Sequence, residues 1–301
     1  MIPYLHIGDR VALAAPARAV TPEEMAPAIA TIESWGLHVV VPEGLYERDG
    51  QLAGSDGHRA TLMQRLLDDP TIAAIICARG GYGTVRIIDR LDFSRFAQKP
   101  KWIVGYSDVT VLHSHVNATL GLPTLHATMP VNFPTDGSRC PATESLRQAL
   151  FGEPQDIAWD SHQLDRKGTA EGVTVGGNLS ILYSLLGSRS QIDTKGKILI
   201  IEDLDEYLYH IDRMMQALRR AGMLDGLAGL VVGGLNDMHD NTIAWGQTAE
   251  EIVRDAVDDR DYPVAFGAPI GHIGTENRAL LLGMEATLTV NDRGEKRIHT
   301  R

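Results

Sequence analysis

Short, nearly continuous apolar runs at 11–17, 38–41, 72–78 and 102–106 punctuate the first half of the chain. Apolarity without alternation predicts strands covered on both faces, as in a parallel sheet. Between these runs the apolar positions fall at helical spacing. Thr21, Pro22 and Glu24 read as an N-cap, a first-turn proline and a capping-box acid. Met25, Ile29 and Ile32 form the stripe of that helix and Gly36 stops it, although Pro27 leaves open a later start. Residues 58–68, 85–91 and 109–120 supply further helices. Strands alternating with helices in this way predict an open, doubly wound parallel sheet.

From 133 to 172 the pattern dissolves into PTDGSRCP, GEPQD and DRKG, with one helical stretch at 144–150. It then resumes with helices at 178–186 and 211–218, strands at 197–201, 229–232 and 263–266, and terminal β structure at 279–290. The expected organisation is an α/β chain of two domains. Residues 1–150 form the doubly wound N-terminal domain, 151–172 a linker, and 173–301 a smaller C-terminal mixed α/β domain.

Composition narrows the class of partner. The 301 residues are 44% hydrophobic and 22% charged, which excludes a disordered or collagen-like chain. Twenty-eight basic against 39 acidic side chains give a net charge of −11, which works against nucleic acid or anionic membrane as a partner. A local basic pocket remains compatible with it. Cys77 and Cys140 form no CxxC pair, so neither a zinc knuckle nor a disulfide framework is indicated, and a reducing cytoplasm fits. No apolar stretch approaches the roughly 18–20 residues of a transmembrane helix. The run VALAAPA at 11–17 ends like a signal-peptide cleavage site, but its leader carries Asp9 and only Arg10 in basic charge. It is read as a buried first strand.

Four segments offer chemistry. Gly105-Tyr106-Ser107-Asp108 joins an apolar strand directly to a helix, so Ser107 projects beside unpaired helix N–H groups, as in a nucleophile elbow, with Val109 where a second glycine would stand. The plainer alternative is an N-cap. Arg79-Gly80-Gly81-Tyr82-Gly83 follows another buried strand and suits an anion or an oxyanion, or simply a tight turn. Neither the P-loop nor the dinucleotide spacing is present. Glu202 ends the KILII run, where a carboxylate can be held rigidly as a histidine's partner must be, whereas Asp203 and Glu206 are left to capping the next helix. His272 stands in the glycine-flanked loop APIGHIG, a setting that suits either a site residue or an ordinary loop histidine. His113 and His115, two apart on a helix, make a poor metal pair, and His239 near Asp237 and Asp240 resembles a metal cluster but reads as a polar loop.

In combination these segments carry more. GDRVALAAPAR, ARGGYGTVRIIDRLD, KWIVGYSDVTVLH, GGNLSIL, IEDLDEYLYHIDRMMQAL and FGAPIGH occur in this order between about Gly8 and Val290. Together they resemble the LD-carboxypeptidase family, which includes murein tetrapeptide LD-carboxypeptidases and microcin C immunity peptidases. The resemblance implies a serine peptidase with a Ser–His–Glu triad, neither metal nor other cofactor, and a dimer of two-domain chains. It also implies a flavodoxin- or glutamine-amidotransferase-like N-terminal sheet and a swivelling-type C-terminal domain.

The family's serine falls on Ser107, its glutamate on Glu202 and its histidine on His272. His272 then takes the hydroxyl proton, Glu202 holds the imidazole, and backbone N–H groups of Asp108 and of Gly80 or Gly81 receive the oxyanion. Arg79 and Arg213 are candidates for the terminal carboxylate, with Tyr82, Tyr183 and Asn178 as possible pocket walls. The expected activity is hydrolysis of the L–D amide before terminal D-alanine in murein tetrapeptides, in cytoplasmic peptidoglycan recycling. The alternatives are an immunity-type peptidase cleaving aminoacyl-adenylate amides, with Trp245 either stacking on adenine or packing on its own helix, and a non-catalytic carboxylate- or nucleotide-binding module. An oxidoreductase is disfavoured by the missing dinucleotide fingerprint.

Overall fold

The computed structural model describes residues 2–291 and 295–300. In the first half, β1 (Arg10–Ala14), α1 (Pro22–Ser34), β2 (His38–Val40), α2 (Asp56–Asp68) and β3 (Ile72–Cys77) are followed by α3 (Ser94–Gln98), β4 (Trp102–Gly105), α4 (Thr110–Leu120), β5 (Thr124–His126) and α5 (Pro141–Leu150). The second half runs β6 (Asp156–Trp159), β7 (Gly168–Asn178), α6 (Leu179–Ser184), β8 (Ile198–Leu204), α7 (Leu208–Arg220), β9 (Gly229–Asn236) and α8 (Ala249–Ala256). It closes with β10 (Val264–Ala265), β11 (Leu280–Leu282), β12 (Glu285–Val290) and β13 (Lys296–Thr300).

The first sheet has the order β11-β5-β4-β3-β1-β2. β1 to β5 are parallel and β11 joins antiparallel to β5. Without that edge strand the order is the flavodoxin-like one, whose chain reversal between β1 and β3 opens a crevice at the strands' carboxyl ends. The second sheet has the order β10-β9-β8-β7-β12-β13-β6. Its β7 to β10 side is parallel and its β7-β12-β13-β6 side antiparallel. A mixed α/β chain with a doubly wound first sheet is therefore what the structure shows.

Local chemistry accounts for the elements. Thr21 caps α1 and Glu24 closes the capping box, so the helix starts at Pro22 with Pro27 inside it. The run at 85–91 is not an α-helix but two 3₁₀ turns, Thr84–Arg86 and Ile88–Arg90. Residues 151–172 contain β6 and the start of β7, so this segment contributes an edge to the second sheet rather than only a connection. β7 escapes the hydrophobic pattern because close approach demands glycine. A Cβ on Gly176 would stand 2.0 Å from the Ile200 carbonyl oxygen, and one on Gly177 2.5 Å from Thr110 Oγ1.

The two halves share hydrophobic material. The expected terminal β segment divides, β11 entering the first sheet and β12 the second. Along β11 side chains alternate, so Leu281 joins the core beneath the first sheet while Leu280 and Leu282 join that of the second. Burying each leucine contributes about 1.5–3 kcal/mol, which favours holding the sheets together. The backbone N–H of Asn178 donates to Thr110 Oγ1 at 3.0 Å, tying the end of β7 to the first turn of α4.

Candidate active site

Ser107 follows β4 with φ of 62°, left-handed backbone in a non-glycine residue. Such a conformation costs on the order of 1–3 kcal/mol and persists only where the surroundings impose it. Gly105 permits the bend, because a Cβ there would stand 2.8 Å from Val109 Cγ2. His113, buried on α4, holds the Gly105 carbonyl through Nε2 at 2.9 Å. Ser107 makes no capping hydrogen bond, so the N-cap alternative does not describe it.

The glycine turn after β3 meets this elbow. A Cβ on Gly80 would lie 3.0 Å from Ser107 Cβ and 3.1 Å from its Oγ, so only glycine lets the turn approach so closely. Two buried polar side chains, neither of them singled out in the sequence for this task, fix the turn. Asp108 accepts from the Thr84 N–H at 2.9 Å and from its hydroxyl at 2.6 Å. Arg59 donates to the carbonyls of Pro16 at 2.6 Å and Gly83 at 2.8 Å and pairs with Asp56. The Asp108 carboxyl is pushed up by burial, with the Thr84 bonds opposing.

From the second sheet come a histidine and a glutamate. β8 does not end at Glu202, as its apolar run suggests, but continues to Leu204. The register against β9 slips between Ile201 and Asp203, leaving Gly233 and Gly234 of β9 opposite Glu202. Added Cβ atoms on Gly233 and Gly271 would stand 3.2 Å from Glu202 Cβ and 2.5 Å from its Oε2, so both glycines make room for this carboxylate.

Glu202 Oε2 accepts from His272 Nδ1 at 2.6 Å and from the His272 backbone N–H at 3.3 Å. Burial pushes the Glu202 carboxyl up, but His272 and His126 outweigh it and hold the group well below the ordinary carboxylate range. Burial lowers the His272 imidazole in turn, yet the Glu202 carboxylate leaves it above its ordinary value. Among the described residues the His272 side chain hydrogen-bonds only to Glu202, which leaves Nε2 for another partner. The Tyr106 ring packs against the imidazole at 4.7 Å and donates its hydroxyl to Asn132 Oδ1 at 3.2 Å.

Ser107 and His272 line one cleft of about 530 Å³, together with Arg18, Arg79, Gly80, Gly81 and Asp108 from the first half. Asn178, Ser180, Asp203, Asp205 and Glu206 line it from the second half. A half-buried hydroxyl at a strained elbow, an imidazole fixed by a buried carboxylate and a rigid glycine turn are the parts of covalent acyl transfer.

Other expected residues lie elsewhere. Tyr82 is exposed and does not line the cleft, and Tyr183 packs edge-on against His210. Arg213 is exposed with its guanidinium 5.1 Å over the Tyr209 ring, so it is held on the surface of α7 by a cation–π contact. Arg79 does reach the cleft but pairs with Glu24 at 3.1 Å. Asp203 does not cap α7. It is buried, accepts from Asn178 Nδ2 at 2.9 Å and from the Ser180 N–H at 2.8 Å, and so serves the first turn of α6. Burial and the neighbouring Glu202 push its carboxyl up to about 7. Glu206 pairs with His210, His239 with Asp205, and Trp245 lies 40% exposed in the loop before α8 rather than packed on a helix.

Residues 11–127 match the LD-carboxypeptidase N-terminal domain and residues 171–288 the LD-carboxypeptidase C-terminal domain. A probable murein peptide carboxypeptidase of Bacillus subtilis (strain 168) is 34% identical over 293 residues, 96% of this chain and 91% of that protein. The murein tetrapeptide carboxypeptidase of Pseudomonas aeruginosa is 29% identical, over 95% of this chain and 94% of that one. The crystal structure of muramoyltetrapeptide carboxypeptidase from Oxalobacter formigenes superposes with a TM-score of 0.87 at 26% identity, covering 97% of this chain and 98% of that one. The microcin C7 self-immunity protein in complex with aspartyl sulfamoyl adenosine shares the fold, with a TM-score of 0.84 at 20% identity over 99% of this chain and 97% of that one.

Proposed function

The chain belongs to the LD-carboxypeptidase family, and from that premise we propose that it releases the terminal D-alanine of murein tetrapeptides with Ser107 as nucleophile. The observation that carries the reading is the shared cleft, lined both by a serine at a positive-φ elbow and by a histidine hydrogen-bonded at 2.6 Å to a buried glutamate.

The roles follow from the bonding. With Nδ1 engaged by Glu202, His272 Nε2 takes the Ser107 hydroxyl proton as Oγ attacks the carbonyl carbon of the diamino acid residue. The backbone N–H of Asp108 and that of Gly80 or Gly81 receive the oxyanion, on a turn held by Asp108–Thr84 and Arg59–Gly83. The imidazolium, stabilised by Glu202, gives its proton to the departing amine of D-alanine. Water activated by the same imidazole then releases the tripeptide. The product fits a role in recycling peptidoglycan fragments.

The test is mass spectrometry of three compounds incubated with the protein. These are a tetrapeptide ending in L-meso-diaminopimelyl-D-alanine, its all-L counterpart and an aspartyl-adenylate sulfamate. The proposal expects the first to lose D-alanine and the second to stay intact. Cleavage of the adenylate alone would contradict the murein assignment.

A further inference from the structure

We propose that Arg18 is the receptor for the free terminal carboxylate of the substrate. The proposal deepens the function above and rests on it. In a carboxypeptidase only one residue separates the scissile carbonyl from the terminal carboxylate, a span of roughly 4 Å. The cation that receives that carboxylate therefore has to stand beside the oxyanion turn.

Arg18 is built into that position. It follows β1 at the reversal of strand order, where its N–H donates to the Gly80 carbonyl at 3.4 Å. Its side chain lies across Gly81, for a Cβ there would stand 2.5 Å from Arg18 Cδ, 2.6 Å from Nε and 2.7 Å from Cγ. Gly80, the next residue, abuts Ser107. The Arg18 side chain thus crosses the glycine turn that abuts Ser107 and lines the same cleft, with the bare Gly81 leaving room for it.

The two arginines singled out in the sequence are occupied. Arg79 is paired with Glu24 and Arg213 is stacked on Tyr209, whereas among the described residues Arg18 has no ion-pair partner. Charge across the cleft points the same way. The wall from the second half carries the carboxyl groups of Asp203, Asp205 and Glu206 and, among the residues lining the cleft, no arginine or lysine, so a substrate carboxylate finds its guanidinium only on the Arg18 side. Beyond Arg18 a second chamber of about 480 Å³ is lined by Arg48 and by the Arg79–Glu24 pair, so its one acid is already matched by Arg79. A guanidinium also presents the paired donors that a carboxylate accepts.

The experiment compares a tetrapeptide bearing a free terminal carboxylate with its C-terminal amide, using the wild-type protein, Arg18→Gln, Arg18→Lys and Arg79→Gln. The wild type is expected to prefer the acid by about 10–100-fold in kcat/KM. Arg18→Gln brings that ratio close to one, mainly through KM, Arg18→Lys keeps part of it, and Arg79→Gln leaves it intact. Calorimetric binding of the same two peptides to Ser107→Ala, with and without Arg18→Gln, reads the preference without chemistry. An unchanged ratio in Arg18→Gln, or its loss in Arg79→Gln instead, overturns the proposal while the function stands. If the wild type cleaves neither peptide, the function fails. The binding arm then still decides on Arg18, and an absent acid preference there overturns it.

Discussion

His126 Nε2, at the end of a first-sheet strand, stands 4.0 Å from Oε1 of Glu202 in the second sheet. Both side chains are fully buried, and among the described residues Glu202 Oε1 and both ring nitrogens of His126 have no hydrogen-bond partner. The separation is too long for a direct hydrogen bond. Its effect is electrostatic, and it joins the carboxylate of one half to the other. The rings of Tyr106 and His113 flank His126 at 5.9 Å and 6.3 Å.

His126→Phe should therefore loosen the hold of Glu202 on His272 rather than remove a reacting group. The expected result is a fall of about tenfold in kcat, equivalent to about 1.4 kcal/mol, with KM little changed. An unchanged kcat would show that His126 only fills space.

The wild-type pH profile follows from the same pair. A general base works only when neutral, and Glu202 raises the His272 pKa above 6.5. Activity should thus rise with pH through a midpoint above 6.5. In Glu202→Gln the carboxylate that favours the imidazolium is gone, so the limb shifts downward and the plateau drops. Measuring kcat/KM against pH for both proteins checks the sign.

Backbone strain at Ser107 separates activity from stability. Ser107→Ala and Ser107→Gly should each lower turnover by roughly 10⁴–10⁶-fold. Glycine also relieves the positive φ, so Ser107→Gly should unfold with about 1 kcal/mol more stability than Ser107→Ala. Denaturant titration of the two variants measures the difference.

Asp108→Ala removes the acceptor of two buried Thr84 donors, at a cost of about 1–3 kcal/mol. It also frees the glycine turn, so kcat should fall by about 10²-fold with KM held. Thermal unfolding and steady-state kinetics test the two consequences separately. A full loss of stability with normal kcat would remove the turn's fixation from the mechanism.

Much of this was legible in the sequence because it is local. The capped start of α1, the buried strands before Gly80 and Ser107, and the elbow at Gly105 each depend on neighbouring residues. What escaped depends on partners distant in the chain. β7 is glycine-rich because it meets the backbone of β8 and the side chain of Thr110, which no periodicity records. Arg59 and Asp108 look like surface charges until the turns they hold are known. Arg18 ended a recognisable motif, but its side chain crosses Gly81, more than sixty residues on, which no local pattern records. β11 read as part of one terminal β segment because the hydrophobic pattern does not say which sheet a strand joins.

Reaction with an active-site-directed fluorophosphonate, mapped by peptide mass spectrometry, tests the central claim that Ser107 is the nucleophile activated by His272. The account predicts one equivalent of label on Ser107 in the wild-type protein and a rate reduced by several orders of magnitude in His272→Asn. A folded protein that hydrolyses the tetrapeptide while Ser107 stays unlabelled, or that labels equally fast without the imidazole, would contradict it.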